Sequence, residues 1–96
     1  MSESYFRRNE DFIYRDIAGE AILVPTGQAA RKLNGMVSLN ETGAFLWNAL
    51  AEPRTPAALV EQMTAEYEID TATALEDISG FLEKAEENEM VLRVQE

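Results

Sequence analysis

A change of residue period at Asn40 limits what this chain can fold into. Residues 36–39, Met-Val-Ser-Leu, have a strand-like composition. From Glu41 onward the apolar residues Phe45, Leu46, Ala49 and Leu50 fall at helical spacing. Asn40 stands at the switch, and its side chain can accept a backbone N–H and start a helix. Glu41 follows in the first turn, where the helix dipole favours negative charge. Sheet is therefore expected before residue 40, and helices after it.

The flanking stretches agree. Phe12–Ile17 is aromatic and β-branched and reads as a strand, and residues 20–24 read as a second. Only Ala18-Gly19 separates them, which makes an antiparallel hairpin the natural connection. Pro25 removes a ladder donor and should end the pairing. Residues 26–35 read as a loop with two bases, Arg31 and Lys32, and a third strand begins at Gly35 or Met36. Gly27 lies in no Gly-x-x-x-x-Gly-Lys-Ser/Thr pattern, so the loop is not a phosphate cradle.

The first helix is expected over residues 41–51, with a break at Glu52-Pro53-Arg54. Thr55 caps the second, with Pro56 at its first position, and Leu59, Val60, Met63 and Tyr67 form its apolar stripe. After Glu68-Ile69, Asp70 or Thr71 caps a third helix reaching Asn88. Its stripe is Ala74, Leu75, Ile78, Phe81, Leu82 and Ala85, interrupted by Gly80 at a cost of about 1 kcal/mol. Residues 90–94 resume strand character and suggest a short last strand. The expected fold class is α+β: a small three-stranded antiparallel sheet followed by three helices, winged helix-turn-helix-like. Residues 1–10 read as a flexible N-terminal segment and residues 11–96 as one domain, long enough for one modest core.

Composition narrows the chemistry. The chain has no cysteine and no histidine. Disulfides, thiol catalysis, the commonest general base and the commonest zinc ligands go together, and a reducing cytoplasm suits such a chain. Ser38 and Ser79 have no histidine to activate them, and Ser2 and Ser4 sit in the polar N-terminal segment. Glu76-Asp77 and Glu86-Glu87 are sequence neighbours on a helix and point apart, so neither is an acid/base pair. Glu83 and Glu87 share a face, but beside Lys84 they read as solvated surface. No enzyme, cofactor or metal site is expected. Neither a signal peptide nor a run of apolar residues long enough to span a bilayer is read.

The net charge of −10 resides entirely in residues 41–96, which hold thirteen acids and three bases; residues 1–40 hold five of each. A winged-helix shape invites DNA binding, but Glu76, Asp77, Glu83, Glu86, Glu87 and Glu89 against Lys84 alone would repel phosphates from the third helix.

Leu39-Asn40-Glu41-Thr42-Gly43-Ala44 followed by Leu46-Trp47 resembles the PqqD family of pyrroloquinoline quinone biosynthesis, which has relatives across ribosomal peptide pathways. Arg54-Thr55-Pro56, Tyr67-Glu68-Ile69-Asp70 and Phe81-Leu82-Glu83-Lys84 with Met90-Val91 extend the resemblance over about residues 11–94. Glu89 departs from it, since the family commonly has glycine before the last apolar pair.

The resemblance implies a non-enzymatic peptide-recognition domain, a RiPP recognition element. Such a domain binds the leader of a precursor peptide and presents it to a modifying enzyme, often a radical S-adenosylmethionine protein. The leader would add as a strand on the third strand, beside the third helix. The implied peptide-binding residues are Gly35, Met36, Val37, Ser38 and Leu39 on the edge, with Asp77, Ile78 and Phe81 on the wall. Plain core packing is the competing reading for Val37, Leu39, Ile78 and Leu82. For Trp47 core packing is favoured over a docking surface. Two other functions compete: a subunit that binds a folded partner without peptide, and a degenerate winged-helix transcription regulator.

Overall fold

The computed structural model describes residues 4–33 and 35–94. Its elements run β1 (Tyr5–Arg8), β2 (Phe12–Ile17), β3 (Glu20–Pro25), α1 (Gly27–Lys32), β4 (Val37–Leu39), α2 (Glu41–Ala49), α3 (Pro56–Glu66), α4 (Thr71–Glu87) and β5 (Val91–Val94). Strands β2, β3 and β4 form an antiparallel sheet in that order, and β1 pairs with β5 in a separate two-stranded ribbon. The three expected helices are α2, α3 and α4, so the winged-helix-like α+β arrangement holds.

The β2–β3 hairpin turns at Ala18 and Gly19, with φ of 54° and 84°. Positive φ at both central residues is the geometry whose twist matches that of the flanking strands. β3 keeps Pro25 as its last residue, opposite Phe12.

Each of the three longer helices starts on a side-chain cap. Gly43 N–H donates to Asn40 Oδ1 at 2.7 Å, Ala58 N–H to Thr55 Oγ1 at 3.1 Å, and Thr73 N–H to Asp70 Oδ1 at 2.8 Å. Those bonds satisfy donors that a helix leaves orphaned at its start. α2 stops at Ala49, two residues before the expected end. There Arg54 Nε donates to the Ala49 carbonyl at 2.6 Å.

α4 ends differently. Glu89 N–H donates to Glu86 O (3.1 Å) and Met90 N–H to Ala85 O (2.8 Å), with Glu89 at φ 60°. This is a Schellman ending, whose left-handed residue is commonly glycine because glycine lacks the Cβ that strains that conformation. The position where the resemblance implies glycine is thus held by Glu89 in the left-handed conformation. Its carboxylate takes an ion pair from Lys32 at 2.9 Å, and its carbonyl a bond from Asn9 Nδ2 at 2.7 Å.

Two local expectations fail. Residues 4–10, read as part of a flexible segment, contain β1. Phe6 is 5% exposed and belongs to the core. Its backbone also bonds both ways with Arg54 (2.8 and 2.9 Å), so the break after α2 serves as a pairing segment. Residues 1–3 lie outside the described residues. Residues 26–35, read as a loop, hold the six-residue α1, anchored by buried Ala29.

The core lies between the helices and one face of the sheet. Phe12 and Leu23 come from the sheet, Leu46, Trp47, Leu59, Met63, Ile78 and Leu82 from the helices, and Phe6 and Val91 from the ribbon. Leu75, counted in the α4 stripe, is 47% exposed: the buried arc of α4 is Ala74, Ile78, Leu82 and Ala85, and Leu75 falls just outside it. Trp47 is 2% exposed, which places it in the core. Its indole N–H donates to the Met90 carbonyl (3.2 Å), Tyr14 stacks on its ring and Arg8 lies over it.

Candidate functional site

Strand β4 is the edge of its sheet. It pairs with β3 on one side (Ala21 opposite Leu39, Ile22 opposite Ser38, Leu23 opposite Val37), and no described strand lies on the other. An open edge leaves part of a strand's N–H and C=O groups without a ladder partner, so an extended chain can pair with it. Only Asn40 separates β4 from α2, and its cap bond to Gly43 holds the helix start against the strand's end. Close approach is part of that geometry. A Cβ on Gly43 would stand 2.9 Å from Asn40 Oδ1 and 3.7 Å from the Leu39 side chain.

Helix α4 faces this junction across a groove. Beside β4 the groove has a volume of about 420 Å³ and is lined by Val37, Ser38, Leu39, Asn40, Gly43, Phe81, Lys84, Ala85, Asn88 and Met90. It continues past the start of α2 as a second hollow of about 470 Å³, where Thr42, Leu46, Glu76, Asp77 and Gly80 join the lining. Asn40, Gly43, Phe81 and Lys84 border both parts. The chain 37–42 thus runs from the Asn88 end of α4 toward its Asp77 end.

The expected site residues separate into three groups. Val37, Ser38, Leu39 and Phe81 line the part of the groove beside β4, and Asp77 lines its continuation with Phe81. Ile78 is fully buried and supports the wall from behind, since its position on α4 points it into the core. Gly35 and Met36 precede β4 and border a different hollow, of about 230 Å³, with Val24, Pro25, Ala30 and Leu33. The edge strand is thus three residues, not five, because Gly35 takes φ 95° and leaves the extended region.

Sequence reasoning missed Gly80, Lys84 and Asn88. The signal for them was present. Residues 77, 81, 84 and 88 recur at helical spacing and form the row flanking the apolar stripe of α4. Among the residues lining the two parts of the groove, Glu76 and Asp77 are negative and Lys84 is the only cation. At the far end of β4, Asp16, Glu20 and Glu41 border another hollow of about 410 Å³ with Ser38 and Leu39. The Leu39 end of the open edge is therefore rich in carboxylates, and Lys84 is the one ammonium group bordering the groove. No described group of carboxylates meets the arrangement of a metal site. No described helix is long and apolar enough to cross a membrane.

Two solved structures share this architecture. One is described as "TbiB1 in Complex with the TbiA(beta) Leader Peptide", with TM-score 0.71 and 22% identity, covering 88% of this chain and 93% of that one. The other is "Lasso peptide synthetase B1 complexed with the leader peptide", with TM-score 0.71 and 25% identity, covering 91% and 96%. No curated protein matches the chain significantly. The family described as "Coenzyme PQQ synthesis protein D (PqqD)" matches residues 20–91, from the first residue of β3 to the first of β5. The match spans the open edge, the capped junction and the α4 wall, and the chain belongs to the PqqD family.

Proposed function

We propose that this protein binds the leader segment of a ribosomally synthesised precursor peptide. The leader lies as an added strand on β4, in the groove beside α4, and is presented to a modifying enzyme of the radical S-adenosylmethionine type. The observation that carries this reading is the open edge of β4 bordering a continuous groove. Backbone pairing with the edge supplies affinity that tolerates sequence, and the groove reads every second side chain. The two similar structures support it, since each is described as a complex with a leader peptide.

In this reading the chain is an adaptor working in the cytoplasm, with no catalytic step of its own. Val37, Ser38 and Leu39 pair with the leader, and Phe81 and Asp77 contact its inward side chains. Gly35 and Met36 meet only a leader that runs past the start of the strand. Ile78 contributes by holding Phe81's turn of helix in place.

The test is an NMR titration with the leader encoded beside this protein. Amide shifts are expected at residues 37–39 and 77–84. Baseline shifts there at high micromolar leader would sink the proposal. Basic leader residues near Glu76 and Asp77 should make affinity fall as salt rises. Salt-independent affinity would remove that electrostatic part.

A further inference from the structure

Helix α4 carries six carboxylates within and just beyond it, yet its one lysine has none of them as a partner. The Lys84 ammonium makes no ion pair or hydrogen bond among the described residues, whereas Lys32 and Arg93 each hold a glutamate. The positions four residues away are the uncharged Gly80 and Asn88, and Glu87, three residues on, forms no ion pair with it among the described residues. Lys84 instead borders both parts of the groove, where β4 gives way to the start of α2.

A peptide strand on β4 sends alternate side chains toward α4, spaced by roughly 6.7 Å. Residues 81, 84 and 88 lie about 4.5 and 6 Å apart along the helix axis. One inward side chain of the peptide therefore falls beside Lys84. On a chain of net charge −10, an acidic peptide is repelled at long range. The ammonium of Lys84 is the one lining cation, and it attracts a carboxylate at short range.

Resting on the strand-addition reading above, we propose that Lys84 is a specificity-determining residue that selects leaders carrying an aspartate or glutamate side chain at the inward position facing it. Seven residues along α4, about 10.5 Å away, Asp77 favours a basic side chain two to four peptide residues from that carboxylate. The leader recognised is thus one with charges of opposite sign a few residues apart, oriented by the lysine and the aspartate. Glu76 and Asp77 on α4, and Asp16, Glu20 and Glu41 around the Leu39 end of β4, penalise a carboxylate placed toward that end of the edge.

The experiment uses a display library of random twelve-residue peptides, selected in parallel against the full chain and against Lys84→Glu. Lys84 is exposed on a helix surface, so the variant should fold. Circular dichroism checks this, and Lys84→Met serves as a second, neutral variant. Each selected peptide is mapped by amide shifts on labelled protein.

The expected result is an Asp or Glu preference at one position against the native chain. Against Lys84→Glu it is lost or replaced by Lys or Arg, with shifts at residues 37–39 in both cases. A peptide selected on the native chain should bind Lys84→Glu about five- to tenfold more weakly at low salt. Exchanging its acid for lysine should restore the loss. Peptides that map to β4 with the same composition for all variants would overturn the role of Lys84 and leave strand addition standing. Selected peptides that shift other residues, or no selected peptide at all, would overturn strand addition and this inference with it.

Discussion

Two glycines on helices allow the same substitution to be made in opposite environments. A Cβ added at Gly80 meets nothing within 4 Å. Gly80→Ala should therefore gain the full helix-interior difference, about 1 kcal/mol, raising Tm by roughly 4–8 °C in a domain of this size. At Gly43 the added Cβ would stand 2.9 Å from Asn40 Oδ1, the oxygen that accepts the Gly43 N–H at 2.7 Å. The amide must swing away. The cap is then lost, at about 1 kcal/mol, and the N–H of a buried residue is left unpaired, at about 1–3 kcal/mol. These two costs describe one event and do not add. Set against the propensity gain, Gly43→Ala should destabilise by on the order of 1 kcal/mol. A gap of about 2 kcal/mol should thus separate two identical substitutions. Urea unfolding followed by the fluorescence of Trp47, the single tryptophan, measures both. Repeating Gly43→Ala in an Asn40→Ala background tests the cause, because without the oxygen the alanine should stabilise. If Gly43→Ala stabilises the native chain as much as Gly80→Ala does, the account of the Asn40–Gly43 pair is wrong.

Other perturbations follow from the same structure. Glu89→Gly should be more stable than Glu89→Ala by about 1 kcal/mol in urea unfolding, because both lose the pair with Lys32 but only glycine relieves the left-handed backbone. Equal stabilities would refute a strained helix end. Phe6→Ala should cost roughly 3–5 kcal/mol by the same assay, since Phe6 is buried in the core and Arg93 covers its ring at 4.9 Å. A surface-like loss of a few tenths would show that β1 is dispensable. Trp47→Phe, followed by circular dichroism, should cost about 1–2 kcal/mol, because the Met90 carbonyl keeps its bond from Asn9 N–H. The bonds that Asp70 accepts from Thr73 hold its carboxyl below the ordinary 3.8. A lowered folded value means the stabilisation is full above the unfolded pKa and fades as pH falls through the folded one. The stability advantage of the native chain over Asp70→Asn should therefore shrink from neutral pH to strongly acidic pH. An advantage independent of pH would contradict the sign.

Local signals made most of the framework legible. Asn40, Thr55 and Asp70 cap α2, α3 and α4 as their residue types suggested, and Ala18-Gly19 turns the hairpin. Non-local pairing was not legible. Tyr5–Arg8 contains two arginines and reads as polar surface, and only its partner at the other end of the chain makes it a strand. α1 begins on a glycine and is too short to show a period. Leu75 looked equivalent to its neighbours, yet a few tens of degrees around the helix separate it from the core. The site was half visible for a similar reason. An edge strand and a wall helix could be named, but which residues face each other depends on where α4 crosses. That crossing brings in Lys84, sends Ile78 inward and leaves Gly35 and Met36 outside.

The β1–β5 ribbon has a practical consequence. Tyr5 sits opposite Val94, a cross-strand separation of about 5 Å. Both ends of the described chain therefore emerge together, and β4 lies in the other sheet. A host protein could receive this unit in a surface loop whose two stems are equally close, with no long spacer. Joining the ends directly and reopening the chain at the exposed Glu68, between α3 and α4, would give a permuted version that keeps the recognition edge intact.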